Sequence, residues 1–302
     1  MKKIIVVAGA TGNLGQRIVK ALLAEGTEVR CLVRAESNPT HIDYLKNLGA
    51  TIIVLSEWTE AAISEACHGA SCVVSVLAGL RDVVIDAQKV LLNGAIKAGV
   101  LRIIPSDYSL DFTRFQAGEN RNLDLRREFH TYLDQRPIQA TTIFNGAFAD
   151  MLTDQMPMIL FQQKKILYWG EVDRQWDFTT MDNTASFTAF AALDDAAPRY
   201  LHVAGDRISP RQVTQVMQEI TGEKFGRIRP GGKGLLGFII KVAKILAPAP
   251  KELYPAWQGM QYMRNMIDER CRVDQLDNDR YPKMKWTSVK EVVQAFLQTQ
   301  TK

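Results

Sequence analysis

Near the N-terminus, three glycines at a spacing of three, in Gly9-Ala10-Thr11-Gly12-Asn13-Leu14-Gly15, join an apolar run to a helical stripe. The run, Ile4-Ile5-Val6-Val7-Ala8, has the length and β-branched content of a strand buried on both faces. After the loop, Ile18, Val19, Leu22 and Leu23 recur at helical spacing as far as Gly26. A second apolar strand, Val29 to Val33, ends on Arg34. Strand, glycine loop, helix and strand in that order form the opening unit of a dinucleotide-binding α/β fold.

The loop residues fit that chemistry. A pyrophosphate is held by backbone N–H groups and the positive end of a helix dipole, and the backbone comes close only where side chains are missing. Gly9 suits the tight turn, Gly12 the close approach, and Gly15 the packing of helix on strand. Ala10 stands where the commonest fingerprint has its second glycine. At the end of the second strand a free ribose 2′-hydroxyl usually meets Asp or Glu. Here the residue is Arg34, whose guanidinium suits a 2′-phosphate, so the expected cofactor is NADP(H).

Strand and helix alternate through the first half. Strands are expected at Thr51–Leu55, Ser71–Leu77, Leu101–Ile104 and Ala140–Phe144, with helices at Glu60–His68, Val84–Ala98 and Leu123–Leu133. The fold class is therefore α/β: a Rossmann-type, doubly wound parallel sheet with helices on both faces, followed by a smaller α+β C-terminal substrate domain. The expected division is 1–150 for the nucleotide-binding domain, its sheet completed by parts of 175–205, and 151–302 mainly for a substrate or lid domain. The later half is less regular. Its stretch from Lys233 to Arg270 is rich in Met, Leu, Trp and Tyr, which suits either an apolar ligand pocket or ordinary core stripes.

Composition excludes several classes. Lys and Arg exceed Asp and Glu by 37 to 33, too mild a balance to argue for nucleic acid. The four cysteines form no CxxC pair and the four histidines no HxxxH, so no metal is expected. The run Leu235–Ala247 is broken by Lys241 and Lys244 and is shorter than the ~20 residues of a membrane span, which makes it an amphipathic helix. No leader is recognisable, the expected compartment is the cytoplasm, and no membrane partner is expected. The chain is expected to be a monomer or homodimer acting on a small molecule.

The motifs GATGNLG, Leu32-Val33-Arg34, Arg102-Ile103-Ile104-Pro105-Ser106-Asp107-Tyr108 and Ile143-Phe144-Asn145-Gly146-Ala147-Phe148 fall in order. Together they resemble the NmrA-like and isoflavone-reductase-like branch of the atypical short-chain dehydrogenases. The resemblance covers roughly residues 3–225 and is strongest over the first 150. It implies NADP(H) lying over the glycine loop. It also implies a reductase of phenylpropanoid ethers, isoflavonoids or quinones, or else a non-catalytic regulator that senses NADP state. Carried over, Gly9, Thr11, Gly12, Asn13, Leu14 and Gly15 would hold the pyrophosphate and Arg34 the 2′-phosphate. Leu77, Ala78 and Gly79 would pass along the adenosine side, and Ser106, Asn145 and Phe148 would lie near the nicotinamide.

The sequence departs from the family at one place. Plant reductases of this family carry a lysine on the helix after the fifth strand, a few residues before an Ile/Val-Arg pair. Here Leu125-Arg126-Arg127 matches that pair, which puts Asn122 near the lysine's position. The candidate catalytic residues are therefore Tyr108, Asn122, Arg126 and His130. Tyr108 could donate a proton or hydrogen bond, Arg126 could attract an anionic substrate, and His130, two turns beyond Asn122 on the same helix face, could serve as an acid or base. Tyr281 and Lys285 have the spacing of the conventional Tyr-xxx-Lys pair, but Pro282 argues against the helix that pair requires. The expected function is NADPH-dependent reduction of a small aromatic, quinone-like or enone substrate. A catalytically inactive NADP(H)-binding regulator is the alternative, and an epimerase or lyase with tightly held cofactor a more distant one.

Overall fold

The computed structural model describes residues 2–300. The chain divides into two compact units. Among the described residues, the first comprises 2–108, 125–144 and 184–201, and the second 109–124, 145–183 and 202–300.

The first unit is built on a six-stranded parallel sheet. Its strands are β1 (Ile4–Ala8), β2 (Glu28–Arg34), β3 (Thr51–Leu55), β4 (Cys72–Ser75), β5 (Arg102–Ile104) and β6 (Gln139–Ala140). They lie side by side in the order β3-β2-β1-β4-β5-β6, and each adjacent pair is parallel. The order reverses between β1 and β4, so this is the Rossmann-type topology with its switch point beside β1. The helices are α1 (Asn13–Ala24), α2 (Pro39–Asn47), α3 (Glu60–Ala66), α4 (Gln88–Lys97) and, from Leu125 onward, α5 (Arg121–Leu133). Ile5, Val6 and Val7 are fully buried, as expected for a central strand covered on both faces.

Two expectations are corrected here. The strand expected over Ala140–Phe144 is two strands. β6 pairs with β5, but beyond Thr141 the ladder switches partners. Thr141 N–H donates to the Ile103 carbonyl, whereas Thr142 N–H donates to that of Arg199. The new strand β7 (Thr142–Phe144) therefore leaves the sheet and joins a two-stranded pairing. β5 is only three residues long and runs into Pro105, so it offers little further edge. The helix expected from Val84 begins instead as a wide π turn, Asp82–Ala87, which passes into α4.

The second unit holds short strands and longer helices. Strands β8 (Ala147–Phe148), β11 (Trp176–Thr179) and β13 (Asp206–Ile208) form one sheet, and β9 (Ile159–Leu160), β10 (Lys165–Leu167) and β14 (Gly226–Ile228) another. Among the described residues the remaining strand, β12 (Tyr200–His202), is the partner of β7. Of the helices, α6 (Met181–Leu193) leads back into the first unit, and α7 (Pro210–Thr221), α8 (Lys233–Leu246), α9 (Ala256–Met266) and α10 (Val289–Gln300) belong to the second. α7 starts with a capping box between Ser209 and Gln212 and stops at Gly222 in the left-handed region. The core of this unit gathers Trp176, Phe178, Met217, Leu236, Met266 and Val293 among others. No described helix is long and apolar enough to cross a membrane. Tyr281 follows a short 3-10 turn, Asn278–Arg280, so Tyr281 and Lys285 do not share a helix.

Candidate functional site

In the first unit the glycine loop follows β1, and its three glycines are held differently. Gly9 has φ +85°, and a Cβ there would lie 2.6 Å from the Val76 carbonyl oxygen at the end of β4. A Cβ on Gly15 would lie 2.2 Å from the Gly9 oxygen. Gly12 is unlike both: its nearest neighbour is the Gly9 oxygen at 3.4 Å, an ordinary contact, and the residue is exposed. Turn geometry and packing therefore require glycine at Gly9 and Gly15. At Gly12 the protein interior does not require it, and the missing side chain leaves room on the outside. Gly12 is also the N-cap of α1, with no side-chain cap and no acidic residue in the first turn. The first N–H groups of α1 are left for an anion. Thr11 and Asn13 brace the loop, with Gln16 donating to the Thr11 carbonyl and Arg17 to Asn13 Oδ1.

Arg34 ends β2 at the sheet's carboxyl edge and is exposed. Among the described residues its guanidinium has no ionic partner, and Glu36 does not pair with it. Leu77, Ala78 and Gly79 follow β4 into the π turn, where Gly79 packs directly against Val83. After β5, Ser106 is buried, and its N–H donates to Gln88 Oε1 at 3.1 Å. Gln88, itself 1% exposed, donates to the Val84 carbonyl. This glutamine fixes the loop after β5. No sequence signal marks it, because it falls within an otherwise apolar helix stripe. An open helix N-terminus beside a glycine turn, with a solvent-facing cation at the end of the next strand, fits a dinucleotide carrying a third phosphate.

His130 and Asp107 form a buried polar cluster in this unit. His130 Nε2 lies 2.6 Å from Asp107 Oδ2, and Thr142 Oγ1 donates to the same oxygen at 2.9 Å. Arg199 Nη2 is 2.9 Å from His130 Nδ1. A guanidinium can only donate, so Nδ1 accepts and the ring proton sits on Nε2, pointing at Asp107. Burial alone would push the Asp107 carboxyl up, but the contact with His130, the charge of Arg126 and the Thr142 hydroxyl hold it below the usual carboxylate range. Neighbouring Tyr108 is buried, and burial pushes its phenol up, with the Thr188 hydroxyl beside it.

In the second unit Asn122 lies on the first turn of α5 and is 3% exposed. Its Nδ2 donates to the Leu253 carbonyl, and its Oδ1 accepts from Arg121 Nε. Asn120 caps the turn by accepting from the N–H groups of Asn122 and Leu123. Asn120 is held in turn by Gln258 and Asn265 of α9, and Gln261 accepts from the Arg121 N–H. Asn145 is fully buried. Its backbone is fixed by Ser109 and Thr179, yet neither polar atom of its carboxamide has a partner among the described residues. Gly146 follows at φ +65°, and a Cβ there would lie 2.3 Å from the Asp177 carbonyl oxygen, so the turn that presents Asn145 admits no side chain. Phe148, half-buried, pairs with Thr179 in the β8–β11 ladder. The structure thus places Tyr108, Arg126 and His130 in one unit and Asn122, Asn145 and Phe148 in the other.

The four cysteines are unbridged, and burial pushes the thiols of Cys31, Cys67, Cys72 and Cys271 up to about 12. No cluster of metal-ligating side chains occurs among the described residues.

A parallel sheet with this strand order, opened by a glycine turn beneath an uncapped helix, defines a Rossmann-type α/β protein. The model of the NmrA-like family matches residues 1–291, and the chain belongs to that family. It is 26% identical over 315 residues to the isoflavone reductase homolog IRL of Zea mays, covering 98% of this chain and 99% of the relative. It is also 26% identical over 320 residues to pinoresinol reductase 1 of Arabidopsis thaliana, covering 97% and 96%. Among solved structures, AtPrR2 with NADP+ and (+)pinoresinol superposes with a TM-score of 0.84 at 23% identity, covering 98% of this chain and 99% of that one.

Proposed function

We propose that this protein is an NADPH-dependent reductase that transfers hydride to a small aromatic, quinone-like or enone substrate. The observation that carries the reading is the pairing of Gly12, an exposed glycine the interior does not require, with Arg34, a cation without an ionic partner among the described residues. The names of the relatives, an isoflavone reductase homolog and a pinoresinol reductase, support reduction of an aromatic molecule.

In this reading the N–H groups of Asn13 and Leu14 hold the pyrophosphate, Gly12, whose own N–H is spent on the Gly9 carbonyl, leaves the room for it, and Arg34 holds the 2′-phosphate. Leu77, Ala78 and Gly79 pass along the adenosine side. Ser106, Asn145 and Phe148 serve the nicotinamide end, where the unspent carboxamide of Asn145 has hydrogen-bonding capacity to offer. Bound cofactor supplies the hydride; the protein supplies orientation and electrostatics.

The proton is the more selective question. Asn122 stands near the family lysine's position with its carboxamide engaged by Leu253 and Arg121. His130 is committed to Asp107 and Arg199, and burial holds the proton on Tyr108. This arrangement favours acceptors whose reduced oxygen can take its proton from water, which places quinones ahead of ethers. Arg126 is left as an electrostatic residue. The test is consumption of NADPH by the pure protein with quinones, enones and aryl ethers. Turnover with quinones supports the reading. Tight NADPH binding without turnover on any of them would favour the regulator instead.

A further inference from the structure

The helix α8 carries an apolar ridge that the second unit does not use. Leu236 and Ile240 are 1% and 5% exposed and anchor the helix in the core. On the other side Leu235, Phe238, Val242, Ile245 and Leu246 all face solvent, Phe238 at 64% and Ile245 at 78% exposed. At about 100° per residue these five fall within an arc of about 100°, opposite the anchoring face. A continuous apolar strip of this kind is a contact surface rather than scattered surface hydrophobicity.

The charge around the ridge indicates what covers it. From Lys224 to Lys251 the chain carries seven basic residues and no acidic one. Lys241 lies on the flank of the ridge and Lys251 just beyond the helix, both exposed. A second copy of this chain meeting the ridge about a two-fold axis would set this cationic segment against itself. An anionic lipid surface instead offers an apolar layer for the ridge and negative headgroups for the lysines. An amphipathic helix with lysines beside Phe, Leu and Ile is suited to lie in such an interface. α8 is too short to span a bilayer, so the contact is peripheral.

We infer that α8 seats this protein on anionic membrane surfaces, with Phe238 and Ile245 entering the acyl boundary and Lys241 and Lys251 meeting the headgroups. The inference is independent of the reductase reading and revises the expectation of no membrane partner. Co-sedimentation of the full chain with phosphatidylcholine vesicles, with and without phosphatidylserine, tests it. Wild type should sediment with the phosphatidylserine vesicles only, and less so at about 0.5 M salt. The variant F238S/I245S should lose roughly tenfold or more in vesicle affinity, and K241E/K251E roughly 30-fold or more. All four residues are exposed, so both variants should melt and bind NADPH as wild type does. Failure of wild type to sediment with anionic vesicles would overturn the inference, as would sedimentation unchanged in F238S/I245S. A wild-type dimer that F238S/I245S converts to monomer, with vesicles unbound, would overturn it in favour of a second copy.

Discussion

The Cα of Gly15 sits so close to the Gly9 carbonyl that a methyl group added there would lie 2.2 Å from the oxygen. Helix α1 is thereby pressed onto its own loop, and this contact sets where the helix N-terminus points. Gly15→Ala should therefore destabilise the chain by about 1–3 kcal/mol, because backbone must move to make room. Gly12→Val should instead leave the thermal midpoint nearly unchanged while abolishing NADPH binding. A melting curve and a titration on each variant separate packing from ligand approach. Retained NADPH affinity in Gly12→Val would mean that the phosphates bind elsewhere.

Arg34 is expected to act on one phosphate only. A charge-assisted hydrogen bond contributes about 1.5–3 kcal/mol, so Arg34→Ala should weaken NADPH binding roughly 10- to 150-fold while sparing NADH. Calorimetric titration with both cofactors checks this. Equal losses would contradict the 2′-phosphate assignment.

Asn145 allows stability and binding to be separated. Its carboxamide makes no hydrogen bond among the described residues, so Asn145→Ala breaks none and should cost little in unfolding free energy. It should still weaken binding of the nicotinamide cofactor severalfold. A large loss of stability with unchanged binding would show that the residue is structural.

Asp107 sets the expected pH dependence. Its carboxyl is held below its ordinary value in the folded state, so its stabilising contribution is fully present above the unfolded carboxylate range, about pH 4, and is lost as pH falls toward the folded value. Asp107→Asn should cost about 1.5–3 kcal/mol at neutral pH by replacing the charged acceptor of the buried network with a neutral one. The gap between wild type and variant should narrow below about pH 4. Denaturant unfolding across that range would show it, and a gap independent of pH would contradict it.

The features legible in the sequence are those written in contiguous residues. The order of strand, turn and helix from Ile4 to Arg34 is local chemistry, and the Rossmann-type sheet follows from the repeated alternation. Features that join distant positions were not legible. Asp107, His130, Thr142 and Arg199 meet only because four elements converge, and no spacing announces it. Helix periodicity could place His130 on a face of α5, but it could not show the partners on that face. Likewise Asn120 draws on Gln258 and Asn265, well over a hundred residues away, to cap one turn. The split between β6 and β7 depends on where a neighbouring strand ends, which the apolar run Thr142–Phe144 does not record.

Reduction with NADPH as donor is the central claim. The most direct measurement is the rate at which the pure protein consumes NADPH when a substituted quinone is added, followed by loss of reduced-nicotinamide absorbance and compared with Gly12→Val. Saturable turnover by wild type, far slower turnover with NADH, and none in the variant are predicted. NADPH bound tightly by wild type and left unoxidised with quinones, enones and aryl ethers alike would contradict the claim.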